Sequence, residues 1–110
     1  MTTTAKPFYT AQYAPNSQTT VYTATGVRAI LDKCTAYNGT GANVTLAVNL
    51  VNSGGTAAAT NIIVNKSIAA GETYTFPEVV GHALEAGGFV SVVAGSASAL
   101  VLRIGGREIS

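Results

Sequence analysis

The chain has 110 residues and a formal net charge of +1, and only 10% of its residues are charged against 47% hydrophobic, where ordinary soluble domains carry about 25% charge. That balance excludes a nucleic-acid binder working through clustered Lys and Arg, and a protein held electrostatically on a membrane surface. One Cys, one His and no Trp exclude a disulfide framework and a Cys/His zinc site.

No basic start followed by an apolar run opens the sequence, so no secretory leader is expected, and no apolar stretch reaches the about 18 residues of a membrane-spanning helix. A lone Cys34 fits a reducing cytoplasm. The polar residues are mostly uncharged, with fifteen Thr, seven Ser and seven Asn. Thr and Val are β-branched and suit a pleated surface.

Residues 1–7 read as a flexible N-terminal arm, and residues 8–110 as one domain. Phe8 to Tyr13 is a first strand, with Tyr9 and Tyr13 on the same parity. Pro15-Asn16-Ser17 is a turn, and Thr19 to Ala24 a second strand ended by Thr25-Gly26. Residues 27–37 are ambiguous. Val27, Ile30, Leu31 and Cys34 match a helical stripe, and Arg28 with Asp32 would make an i, i+4 pair. The strand reading puts Ile30, Cys34 and Ala36 on one face with Asp32 as an exception. It is preferred because the surroundings are β and Thr25-Gly26 caps a helix poorly.

Asn38-Gly39-Thr40-Gly41 reads as a type I′ hairpin turn. Val44, Leu46, Val48 and Leu50 then alternate with Thr45, Ala47 and Asn49, the clearest period of two in the chain. Ala57 to Thr60 is a loop or a short helical turn. Asn61 to Ile68 and Thr73 to Phe76 are strands around Ala69-Ala70-Gly71-Glu72, and Pro77 to Val80 could open one helical turn. Phe89 to Ala94 and Ala99 to Ile109 read as a last hairpin across residues 95–98, with a bulge or close backbone approach at Gly105-Gly106. About eight short antiparallel strands with regular turns predict an all-β fold, a β-sandwich of jelly-roll-like form.

Chemistry is sparse. His82 has no carboxylate and nucleophile arranged around it and reads as a loop histidine. Cys34 reads as a small buried hydrophobe. Asp32, Glu72, Glu78, Glu85 and Glu108 mostly sit at turns or beside Pro, where solvated acids are ordinary, and no Asp-rich loop suggests calcium. Asn38, Asn43 and Asn65 each begin a chance glycosylation sequon. No catalytic, cofactor-binding or metal residue is assigned, and no cofactor is expected. Tyr9, Tyr13, Tyr22, Tyr37 and Tyr74 suit an interface or a sandwich rim equally. Arg103, Arg107 and Glu108 suit either inter-subunit ion pairs or a solvated edge.

Solitary β-proteins blunt their edges with Lys, Pro or inward charge, and this chain has three of each of Lys and Pro. Faces of Thr, Ala, Asn and Ser lose water more easily than charged ones. A homo-oligomer is expected, a trimer above all, or a tile on a larger structure, with the arm reaching a neighbour.

The succession Val51-Asn52-Ser53-Gly54-Gly55-Thr56, Ser67-Ile68-Ala69-Ala70-Gly71-Glu72-Thr73 and Leu84-Glu85-Ala86-Gly87-Gly88, with Val21-Tyr22-Thr23 and Gly26-Val27-Arg28-Ala29-Ile30 before it, resembles small β-rich structural proteins of tailed bacteriophages. The resemblance covers roughly residues 19–110. It implies a non-enzymatic virion protein made in the bacterial cytoplasm, a capsid decoration or cement protein whose partners are its own copies and the major capsid protein. A tail, collar or fibre-associated module is the alternative. A carbohydrate-binding sandwich with exposed Tyr platforms is a third reading, drawn from the residues.

Overall fold

In the computed structural model, which describes residues 2–110, nine strands form two antiparallel sheets. The strands are β1 (Thr3–Tyr13), β2 (Thr19–Thr23), β3 (Arg28–Asn38), β4 (Val44–Val51), β5 (Ile62–Ile68), β6 (Thr73–Thr75), β7 (Ala83–Leu84), β8 (Phe89–Ala94) and β9 (Leu100–Ile109), with one 3₁₀ turn at Ala59–Asn61. The first sheet runs β1-β9-β3-β6, with β7 also on β3, and the second runs β2-β8-β4-β5. β6 and β7 pair with opposite ends of β3, so they act as one strand interrupted by residues 76–82. The pairs β1·β9, β2·β8, β3·β6/β7 and β4·β5 all join the first half of the chain to the second. The polypeptide is one long antiparallel ribbon, doubled back between β4 and β5 and rolled into a jelly roll. The all-β sandwich is therefore the architecture expected from the strand spacing.

Rolling the ribbon brings its two ends together. Thr2 N–H donates to the Ser110 carbonyl at 3.0 Å and Ser110 N–H to the Thr2 carbonyl at 2.9 Å. The expected arm is corrected here: residues 3–7 are the first half of β1, paired with β9 from Thr3↔Ile109 to Pro7↔Gly105. β9 extends to Ile109 and offers an open backbone edge that these residues satisfy. Met1 of that arm lies outside the described residues.

Two expected hairpins are also corrected. β3 and β4 lie in different sheets, as do β8 and β9, so the turns at 39–43 and 95–99 carry the chain between layers. Gly39 does not have the positive φ of a type I′ turn. The Asn38 side chain holds this corner instead. Its Nδ2 donates to the carbonyls of Ala42 at 2.8 Å and Ile68 at 2.9 Å, and its Oδ1 accepts from Thr40 N–H at 2.9 Å and Thr40 Oγ1 at 2.7 Å. Pro77 to Val80 form turns closed by Val79 N–H to Phe76 O at 3.4 Å and Val80 N–H to Pro77 O at 3.3 Å, and no helix follows.

The segment 27–37 is a strand, and its helix-like stripe has a physical cause. A register shift lies between Leu31 and Lys33, opposite Gly106 and Gly105, so Asp32 is an extra residue bulged out of the ladder. The inward face reads Ala29, Leu31, Cys34, Ala36, all buried. The bulge stretches one spacing from two to three, which imitates a helical step. Ile30, expected inside, faces outward. A second shift between Pro7 and Tyr9 makes Phe8 the extra residue on the other flank of β9, opposite Gly105 and Ile104. The core between the sheets contains Leu31, Leu46, Val48, Ile68, Phe76, Val90, Val92, Leu100, Leu102 and Ile104.

Gly106 is required by packing, because a Cβ there would collide with the Ile30 carbonyl and the Phe8 ring. At Gly105 a Cβ would meet nothing within 4 Å. Urea unfolding should therefore show Gly106→Ala destabilised by about 2–3 kcal/mol, the upper part of the range for overpacking because one of the clashing atoms is backbone, and Gly105→Ala within about 0.5 kcal/mol of wild type. Asn38→Ala should lose about 3 kcal/mol in the same assay, because it orphans buried carbonyls and an N–H.

Candidate functional site

The residues that carry chemistry are dispersed. His82 is exposed at the end of the turns after β6, and its carbonyl accepts the Leu31 N–H at 2.9 Å. Cys34 is wholly buried on the inner face of β3, and burial pushes its thiol up to about 12. Among the described residues no group of three His, Cys, Asp or Glu is placed to hold a metal ion. The acids are mostly occupied one by one. Glu72 Oε1 accepts the Ala69 N–H at 2.9 Å, Glu78 accepts the Tyr74 hydroxyl at 3.3 Å, and Asp32 holds Arg107 through two donor nitrogens at 3.0–3.2 Å. Glu85 stands exposed in the turn between β7 and β8.

Glu108 is the best-connected acid. It accepts the Tyr22 hydroxyl at 2.5 Å and pairs with Lys6 Nζ at 3.3 Å. The Tyr22 ring stacks on Phe8 with centroids 3.9 Å apart and planes 9° from parallel. This group joins β1 and β9 of one sheet to β2 of the other and closes one open side of the sandwich. The opposite side is closed by Lys66 Nζ, from β5, 4.8 Å from the centre of the Tyr74 ring on β6. Arg107 and Glu108 thus make their pairs within the chain. Arg103 does not: among the described residues the ion pairs are Lys6–Glu108 and Arg107–Asp32, and no hydrogen bond is formed by Arg103 or Lys33 side chains.

The tyrosines separate into two kinds. The parity expected for Tyr9 and Tyr13 is broken by a register shift between Tyr9 and Gln12. Tyr9 packs against the core, and its hydroxyl donates to the Tyr13 carbonyl at 2.9 Å. Tyr13 instead shares a face with Tyr37, because both stand opposite Val101 of β9. They are 56% and 45% exposed, and one strand between them sets them roughly 10 Å apart. One repeat further along β9 lies Arg103, opposite Thr35. Beyond it the strand has no side chain at Gly105, and a groove of about 430 Å³ opens between β1 and β3. Arg103 and Lys33 border this groove, and Gly105 and Gly106 lie along it. The single-sequence reading missed this face, because its row is assembled from three strands distant in sequence.

On the outer face of the second sheet, Asn49 and Ser91 are buried although polar. Gln18 Nε2 donates to Ser91 Oγ at 2.7 Å, and Asn49 Nδ2 donates to Asn61 Oδ1 at 2.6 Å and to the Ala58 carbonyl at 3.0 Å. The loop before β5 is thereby fastened over that face. The Asn38 sequon is likewise spent on structure, since its amide is buried and fully bonded. Comparison with protein families, curated proteins and solved structures gives no match to this chain.

Two pH limits follow from the Tyr22–Glu108 pair. The tyrosine hydroxyl, helped by Lys6, holds the Glu108 carboxyl below its ordinary 4.5. Its stabilisation is therefore complete above the unfolded value and is lost as pH falls through the folded one. Burial and the neighbouring carboxylate raise Tyr22 above its ordinary 10.0, so its share is complete below about pH 10 and lost as pH rises. Tyr22→Phe keeps the stacked ring. Urea midpoints should place it about 2 kcal/mol below wild type at pH 7, the worth of a hydrogen bond to a charged group, with the difference shrinking as acid takes the pH below the ordinary carboxylate range and Glu108 protonates. The Cys34 thiol should react with a soluble disulfide reagent only as fast as the protein unfolds, measured by parallel unfolding and labelling rates.

Proposed function

We propose that this chain is a non-enzymatic structural module of a bacteriophage virion, a jelly-roll tile that decorates and cements the capsid. The observation that carries the reading is the exposed row Tyr13–Val101–Tyr37 with Arg103 beside it, on a sheet whose opposite face is the core. Tyr and Arg are, with Trp, the residues enriched among hot spots of protein interfaces, and here they flank the half-buried Val101. The surface adds support, because it has few charges to desolvate. The acids and His82 are spread over separate turns and strands, which favours binding over catalysis.

Placement on the head rather than on a tail, collar or fibre rests on the small tile-like body. Purified particles examined by cryo-electron microscopy and mass spectrometry should contain the chain at regular capsid sites. Tyr13→Ala/Tyr37→Ala should fold as wild type by circular dichroism and fail to mount on particles lacking the protein. Finding the protein only in infected-cell cytoplasm would refute the proposal. The same two rings favour a second reading, a carbohydrate platform, and glycan-array binding abolished by Tyr13→Ala would put that reading first.

A further inference from the structure

Five of the six cations, Lys6, Arg28, Lys33, Arg103 and Arg107, stand on β1, β3 and β9 of the first sheet with two acids, Asp32 and Glu108, while Glu72, Glu78 and Glu85 stand in turns. Lys33 faces Gly105 across the ladder, and Arg103 faces Thr35 one repeat away. Neither cation has a carboxylate partner among the described residues. The groove they border lies open although no backbone strain or packing demands a glycine at 105, since its φ is not positive and a Cβ would have free space. Lys6 and Asp32 also line the groove, but each is already paired, with Glu108 and Arg107, so the vacant glycine between the two unpaired cations leaves room for a foreign carboxylate.

A carboxylate is present on the far edge of the same sheet. The turns at 77–82 lie beside β3 between β6 and β7 and carry Glu78 and Val80, both exposed, Val80 by 51%. Glu78 is held only by the Tyr74 hydroxyl at 3.3 Å. β1 and the β6/β7 edge are opposite margins of one sheet. A turn on one margin that fits a groove beside the other makes a head-to-tail contact, and such contacts close into rings when the rotation allows.

We propose that the groove over Gly105 receives the Glu78–Val80 turn of a second copy of this chain, with Glu78 between Arg103 and Lys33, and that repetition of this contact closes a ring, a trimer in the simplest case. The inference rests on the capsid-docking tile proposed above and adds the contact by which its copies would meet. Val80 supplies the apolar contact beside the ion pair, and charge complementarity fixes the orientation.

Analytical ultracentrifugation over a concentration series tests it, with circular dichroism to verify folding. Wild type should assemble, and less so at high salt. Arg103→Glu, Lys33→Glu and Glu78→Lys should each weaken association by about tenfold or more, since each turns an ion pair into a like-charge contact. The triple variant Lys33→Glu/Arg103→Glu/Glu78→Lys should regain assembly, because both ion pairs are then restored with their signs exchanged. The proposal fails if the single variants assemble as wild type does, or if the triple variant stays apart. It also fails if a glutamate-rich peptide or a uronic-acid oligosaccharide occupies the groove in wild type without affecting assembly. A monomeric wild type that still mounts on particles overturns the ring while leaving the docking reading intact. A monomer that also ignores particles overturns both.

Discussion

Gly106 has no side chain, and two neighbours occupy the space that one would need. The Ile30 carbonyl of β3 approaches from one side and the Phe8 ring of β1 from the other. This close approach lets the central strand β9 be paired on both flanks while each flank carries an extra residue beside Gly105, Asp32 on β3 and Phe8 on β1. Phe8 turns inward and stacks on Tyr22 of the other sheet, and Asp32 turns outward and takes Arg107. One missing methyl group therefore governs the closure of one side of the sandwich and the charge pattern of the outer face.

The closure has an electrostatic side. Because the Tyr22 ring is fixed by Phe8, its hydroxyl is held at Glu108, a carboxylate that Lys6 also neutralises. The carboxylate and the phenol perturb each other in opposite senses, so the latch is strongest between the two titrations. On the opposite side the latch is a cation over an aromatic ring, Lys66 on Tyr74, with Phe76 edge-on to the same ring. Such contacts add modest energy, but here each joins two sheets that share no ladder hydrogen bonds. They decide how the layers sit on each other.

The polar residues divide in the same economical way. Asn38 and Asn49 are buried and fully bonded, and each fastens a connection that passes over or between sheets. An uncharged amide can do this at little desolvation cost once its donors and acceptors are met. The few cations are concentrated on the outer face of one sheet, where a groove and an aromatic row lie side by side. A surface of this composition is more easily buried against protein than an ordinary charged one.

Local pattern alone determined the class of this protein. The alternation of Val44, Leu46, Val48 and Leu50, the β-branched composition and the regular turns specify strands with one buried face, because period two is a property of the backbone itself. The scarcity of charge pointed to docking for an equally local reason. Tertiary structure decided which strands pair, since ladders such as β1·β9 join opposite ends of the chain and no neighbouring residues encode them. It also decided that the Asn38 and Ser98 corners cross between sheets instead of closing hairpins, and that residues 3–7 are strand. The helical stripe over 27–37 misled because a bulge shifts spacing in the same sense as a helical turn, and only the partner glycines reveal which is present. The candidate face stayed illegible for the same reason. Tyr13, Val101 and Tyr37 become neighbours, and Arg103 is left unpaired while Arg107 is not, only when three distant strands are laid in register.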